Sequence, residues 1–208
     1  MTESDEDRPL DPAEMLALIQ KQERAVGLTY VAPVTWLYGI WGIAWLVGFT
    51  MLWAGWSFEW MPMAVAGTIF GLLIIASIVT SAIVGTRIGR GVRGASTFSG
   101  SVYGISWTLA GTAFAALGVG LAANGMSSEL ASLYYPSAYA LMAGILYILG
   151  AALWNTKSQL VLGIVLLVIG AVAPFFGAPT NNLVMAIGGG GAFLVGAAHF
   201  LLAVRKAR

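Results

Sequence analysis

Residues 61–86 read MPMAVAGTIFGLLIIASIVTSAIVGT, and residues 87–94 read RIGRGVRG. The first stretch has no charged side chain and exceeds the ~20 apolar residues a helix needs to cross a hydrocarbon layer about 30 Å thick. The second ends it with Arg87, Arg90 and Arg93. In lipid a backbone can satisfy its polar groups only within a helix or a closed barrel, and an uninterrupted apolar run of this length predicts a helix.

Working outward, five further segments carry the same signature: 33–54, 101–123, 132–153, 159–176 and 183–204. The connectors WAGWSFEW, RIGRGVRGASTFSG, NGMSSEL, WNTKSQ and GAPTNN are short, so each segment runs antiparallel to the next. The fold class expected is all-α, a polytopic bundle of six transmembrane helices over 28–208. Composition agrees: 59% of the residues are hydrophobic and 9% charged, a balance suited to bilayer rather than water as solvent.

Counting six helices places every basic residue on one side. Arg8, Lys21 and Arg24 precede the first, the three arginines follow the second, Lys157 follows the fourth, and Arg205, Lys206 and Arg208 follow the sixth. The opposite side carries Glu59 and Glu129 and no base. By the positive-inside rule both termini are cytoplasmic and the location is the plasma or inner membrane. Trp53, Trp56 and Trp60 are expected at the outer interface, Trp36 and Trp154 at the inner one.

Seven of the nine acidic residues lie before the first apolar run. Residues 1–10 (MTESDEDRPL) read as a disordered acidic tail with no signal-peptide pattern. Asp11, Pro12 and Glu14 fit a helix start and Gly27 a stop. Between them Met15, Leu18, Ile19 and Val26 share a face, so 11–27 reads as an amphipathic helix lying on the cytoplasmic membrane surface.

Few residues here carry chemistry. Cysteine is absent, which excludes thiolate metal sites and cysteine nucleophiles. No acid, lysine or arginine lies inside any segment, so the midplane relay of a proton- or ion-driven carrier is missing. His199, the single histidine, has no carboxylate neighbours with which to build a metal site, and a packed or interfacial role is expected. Gly94-Ala95-Ser96-Thr97 falls short of the serine motif of intramembrane proteases, with Thr97 in place of a glycine and Ser96 in a loop. Nothing has nucleotide-binding spacing, no nucleic-acid partner is implied, and neither an enzymatic constellation nor a cofactor is expected.

The aromatic residues are the candidates for ligand contact. Tyr38, Trp41 and Trp45 form one stripe on the first helix, and Tyr103, Trp107 and Tyr147 lie at similar depth on the third and fourth. Such rings wall a pocket for a flat apolar molecule or an organic cation, or they simply pack. Tyr38-Gly39-Ile40 recurs as Tyr103-Gly104-Ile105 and, weakly, as Leu162-Gly163-Ile164, a pattern compatible with a repeat in the three hairpins.

Small residues mark expected helix contacts: Gly67 and Gly71, Ala140 and Gly144, and the ladder Gly188, Ala192, Gly196. The run Gly188, Gly189, Gly190, Gly191 reads either as close packing or as a broken helix, and Pro174 nearby as a possible hinge.

The stretch LIQKQERAVGLTYVAPVTWLYGIWGIAWLVGF (18–49), with VYGISW and NNLVMAIGGGG, resembles small six-helix membrane proteins of actinobacteria, uncharacterised or labelled only as transporters. The resemblance implies transport and transfers no functional residue. The function expected is that of a permease or permease subunit for an apolar or weakly charged solute, in the lipid bilayer, as a homodimer or with an energising partner. The alternative is a membrane scaffold or sensor that docks a cytoplasmic protein.

Overall fold

The computed structural model describes residues 11–88 and 95–207, and every element in it is helical. The acidic tail 1–10 and the loop residues Arg90 and Arg93 lie outside the described residues, as do the side chains of Lys21 and Arg24. Six helices are long and apolar enough to cross a membrane: 33–58, 63–87, 97–123, 128–154, 157–176 and 180–202. These match the six segments anticipated, with ends differing by a few residues.

Helix α1 (Pro12–Phe58) departs from expectation, since it runs unbroken for 47 residues through Gly27 and Pro33. The surface helix that was to end at Gly27 is therefore the first part of α1. One interior glycine costs only about 1 kcal/mol against alanine, too little to stop a helix favoured on both sides. The start is placed as the sequence indicated: Asp11 is the N-cap residue and its carbonyl accepts from the Met15 amide at 2.9 Å, although its side chain caps nothing.

Helix α1 ends at Glu59, which adopts a left-handed conformation (φ 51°). Helix α2 (Met63–Ile88) follows, then α3 (Ala95–Ala123) and α4 (Ser128–Trp154). The Ser127 hydroxyl caps α4 by accepting from the Leu130 amide at 3.1 Å. Asn155 closes α4 with φ 50° and leads directly into α5 (Lys157–Val172). A 3₁₀ turn, Ala173–Phe176, ends that span and contains Pro174, so the proline terminates the helix. The sixth span begins as α6 (Thr180–Val184), widens into a π-helical turn at Met185–Gly190, and continues as α7 (Gly191–Ala207). The four glycines thus sit in and beside a wide turn of a continuous helix, and the broken-helix alternative does not hold.

Packing joins the spans in a row. Helix α2 lies on α1, α1 on the sixth span, that span on α5, α5 on α4, and α4 on α3. Half of the α4 span is buried, against 11% of α2 and 6% of α3, which places those two at the ends. Five helix spacings of 8–10 Å make a straight row roughly 40–50 Å wide. Seven Cα steps from Ile88 to Ala95 reach at most about 25 Å, so the row is drawn round where α2 and α3 connect.

Glycines set the closest approaches. A Cβ at Gly144 would stand 2.8 Å from the Gly163 carbonyl oxygen, and one at Gly163 2.8 Å from that of Gly144, so α4 and α5 touch backbone to backbone. Two turns further along α5, Gly170 meets Ala140 and Leu141 in the same way. Gly190 lies on the backbone of Leu46 in α1, Gly189 on the Trp45 ring, Gly188 on Ile169 of α5 and Gly196 on the Tyr38 ring. The ladder anticipated on helix six is therefore a packing surface, divided between α1 and α5. Gly191 has open space, as do Gly67 and Gly71, so the GxxxG pair of α2 does not mark a contact within this chain.

Candidate functional site

The six aromatic residues singled out from the sequence come together in one cluster, with Phe193 of α7 at its centre. The Phe193 ring lies 5.9 Å from Tyr38, 5.6 Å from Trp45, 6.0 Å from Tyr147 and, stacked, 6.5 Å from Trp41. Trp107 stands edge-on to Tyr147 at 5.4 Å, and Tyr103 edge-on to Trp107 at 6.0 Å. These centroid spacings are those aromatic pairs prefer, so each contact adds to the stabilisation from burial alone. The candidate rings contact one another and Phe193. Two shallow surface hollows lie among the described residues, one beside Ala64–Ile69 on α2 and one at the α4–α5 turn, and none of the six rings lines either.

Phe193 was missed from the sequence, although a signal existed. It stands at i+4 from Gly189 and three before Gly196, on the face that those glycines bring against α1. A ring amid residues too small to shield it must contact the neighbouring helix. Phe49 and Phe70, 4.7 Å apart, extend the cluster toward α2 in the same manner.

Polar atoms accompany the rings. Trp41 Nε1 donates to Ser81 Oγ at 3.0 Å, tying α1 to α2, and Ser81 donates in turn to the Ser77 carbonyl at 2.8 Å. The Tyr103 hydroxyl donates to the Leu146 carbonyl at 3.1 Å, tying α3 to α4. Tyr38 is only 5% exposed, yet its hydroxyl has no hydrogen bond; Ser158 lies beside it without closing one of ordinary geometry. Gln159 Oε1 and Thr156 Oγ1, at the start of α5, are likewise buried and unpaired. Tyr38 and Tyr103, each the first residue of a Tyr-Gly-Ile stretch, both bring hydroxyls near the start of α5. Leu162, of the weaker Leu-Gly-Ile stretch, is buried in the core.

A second set of buried polar groups lies at the opposite end of the molecule. Asn181 is fully buried and its Nδ2 donates to the Ser132 carbonyl at 2.7 Å, fastening the start of the sixth span to α4. Its Oδ1 and the Ser137 hydroxyl are unpaired. Pro174 lies close by in sequence, in the 3₁₀ turn, and has no part in the aromatic cluster.

His199 is exposed on α7, with its ring 6.0 Å from that of Phe200. Among the described residues no three of histidine, cysteine, aspartate or glutamate are grouped to hold a metal. Trp36, Trp56, Trp60 and Trp154 are all exposed at span ends, as interfacial tryptophans are expected to be.

No family model, curated protein or solved structure matches this chain.

Proposed function

We propose that the chain is a multi-pass protein of the cell membrane, with both termini cytoplasmic, that serves as a small permease or permease subunit for an apolar or weakly charged solute. The observation that carries this reading is the aromatic cluster. It joins four of the six spans and holds a buried hydroxyl without a partner. Functional sites between helices usually combine apolar walls with a few convergent polar groups. Since no charged side chain belongs to the cluster, passage is by facilitation, or is driven by a partner protein or second copy. The resemblance to small six-helix membrane proteins of actinobacteria, uncharacterised or labelled only as transporters, points the same way.

The test is flux in proteoliposomes across a panel of organic cations and neutral solutes. Entry above that of empty vesicles, for at least one solute, is the expected result. Rates equal to empty vesicles throughout the panel would remove the permease reading.

One observation favours the scaffold alternative. Residues 12–32 of α1 continue about 30 Å beyond the span, at ~1.5 Å per residue, and near the tip Met15, Leu16 and Leu18 are exposed. A soluble partner crosslinked in native membranes at one copy per chain would favour it over the permease.

A further inference from the structure

We infer that residues 114–135, the tip of the α3–α4 hairpin, form a hinged flap latched to the sixth span by one hydrogen bond, from Asn181 to the Ser132 carbonyl. The latch operates whether or not a solute crosses, and so goes beyond the permease reading. The hinge is Pro136, inside α4. A proline has no amide proton, so the carbonyl four residues before it, that of Ser132, loses its helical partner. Asn181 Nδ2 donates to that same oxygen at 2.7 Å. The Asn181 side chain thus takes the place of the amide that Pro136 lacks. Asn181 is wholly buried, so the latch is shielded from water. Its orientation follows, because the reversed amide would set its own oxygen against the Ser132 carbonyl.

Pro136 also divides α4 by burial. Pro136, Ser137 and Ala138 are buried, whereas none of residues 128–135 is. The close backbone contact with α5 lies wholly beyond the proline, where Leu141 meets Gly170 and Gly144 meets Gly163. Ahead of the proline, Asn181 reaches the helix from α6 and fastens it by one bond, since its Oδ1 has no partner.

Helix α3 is tied to α4 on both sides of the hinge. Tyr134, before Pro136, donates to the Phe114 carbonyl at 2.9 Å, and Tyr135 packs against Gly118. Tyr139, after it, donates to the Gly111 carbonyl at 3.1 Å, and Tyr103 donates to the Leu146 carbonyl. The end of α3 from Phe114 onward therefore travels with the start of α4, while the part up to Gly111 stays behind. Gly111, with open space beside it, is the weak point of α3 at that level. The loop between the two helices is closed by its own bonds, from the Met126 amide to the Leu121 carbonyl and from the Leu130 amide to the Ser127 hydroxyl, so the tip moves as one piece. The α3 span is the least buried of the six, so little protein stands in its way.

Amide hydrogen exchange of the full chain in lipid nanodiscs tests this, with wild type, Asn181→Leu, Pro136→Ala and the double variant compared. Asn181→Leu keeps the side chain's size and removes the donor. It should speed exchange about tenfold across 114–135, the effect of one buried hydrogen bond lost, while leaving 157–172 as in wild type. Pro136→Ala supplies the missing amide, so alone it should leave exchange unchanged or slower. In the double variant the new amide at position 136 serves the Ser132 carbonyl, and exchange should return to within about twofold of wild type.

Equal acceleration with and without Pro136→Ala overturns the proposal, because Asn181 then acts by packing alone. Unchanged exchange at 114–135 in Asn181→Leu overturns it as well, and so does acceleration confined to 128–135, which would leave α3 out of the flap. Should Asn181→Leu be recovered only unfolded, the yield of folded protein becomes the readout: Pro136→Ala must restore it, and failure to do so refutes the latch. Flux through wild-type proteoliposomes decides the permease reading separately and does not bear on the flap.

Discussion

Adding one methyl group at Gly190 should lower the melting temperature, whereas the same methyl at Gly191 should not. At Gly190 a Cβ would stand 2.7 Å from the Leu46 amide nitrogen and 3.0 Å from its Cα. Both are backbone atoms, so no side-chain rotation makes room, and α1 must retreat from the sixth span by several tenths of an ångström. Overpacking of this kind costs about 1–3 kcal/mol. The gain in helix propensity from Gly to Ala is about 1 kcal/mol, leaving a net loss of up to about 2 kcal/mol. For a chain of this size that is a fall in Tm of up to roughly 8 °C. At Gly191 no atom lies within 4 Å of the added Cβ, so only the propensity gain remains and Tm should hold or rise slightly. Tryptophan fluorescence during a thermal ramp in one detergent measures both variants. An equal rise in the two would mean that α1 does not rest on the glycine run, and the row of helices would have to be redrawn.

The same logic separates the other glycine pairs: Gly144→Leu should destabilise the chain severely, because Gly144 touches the α5 backbone, and Gly67→Leu should leave stability within about 0.5 kcal/mol. Comparing the detergent-solubilised yield and Tm of the two checks this. Phe193→Ala removes the hub of the aromatic cluster and should cost about 3–5 kcal/mol, while exposed His199→Ala should be nearly neutral. Single cysteines at Ser57, Ser127 and Thr180 should react with an impermeant thiol reagent in intact cells, and one at Ser158 should not, against a native background without cysteine. Labelling at Ser158 would contradict the assignment of the basic side to the cytoplasm.

The number of spans and their limits were legible because a bilayer-length apolar run has few alternatives, and because connectors such as NGMSSEL and WNTKSQ carry their own cap residues. Ser127 and Asn155 are where those connectors hand over to α4 and release it. The stop at Gly27 was misread for the converse reason. A lone glycine is weak punctuation, and nothing after it, not even Pro33, prevents the helix from continuing. The GxxxG of α2 was over-read in a related way. The motif states only that a close approach is sterically allowed, and Gly67 and Gly71 face open space while Gly144 and Gly163, on different helices and outside any GxxxG, meet directly.

Which rings form the site was only half legible, and the reason lies in the solvent. In a water-soluble protein the outward face is polar, so periodicity separates core from surface. Here leucine and isoleucine cover the exposed face of α2 as densely as the buried faces elsewhere, with Leu72, Ile75, Ile78 and Val79 all exposed. Hydrophobicity therefore does not say where a ring points. What does point is size and hydrogen bonding. The face of the sixth span that carries Gly189 and Gly196 is the face that meets α1, and Phe193 lies on it. The hydroxyl-bearing rings are placed by their partners: Tyr103 is fixed by the Leu146 carbonyl, and Trp41 by Ser81. Tyr38 is held by packing against the neighbouring rings, with its hydroxyl beside Ser158 at the start of α5. Its ring is replaceable by phenylalanine at little structural cost, so a function lost on that exchange would belong to the hydroxyl and to whatever it binds.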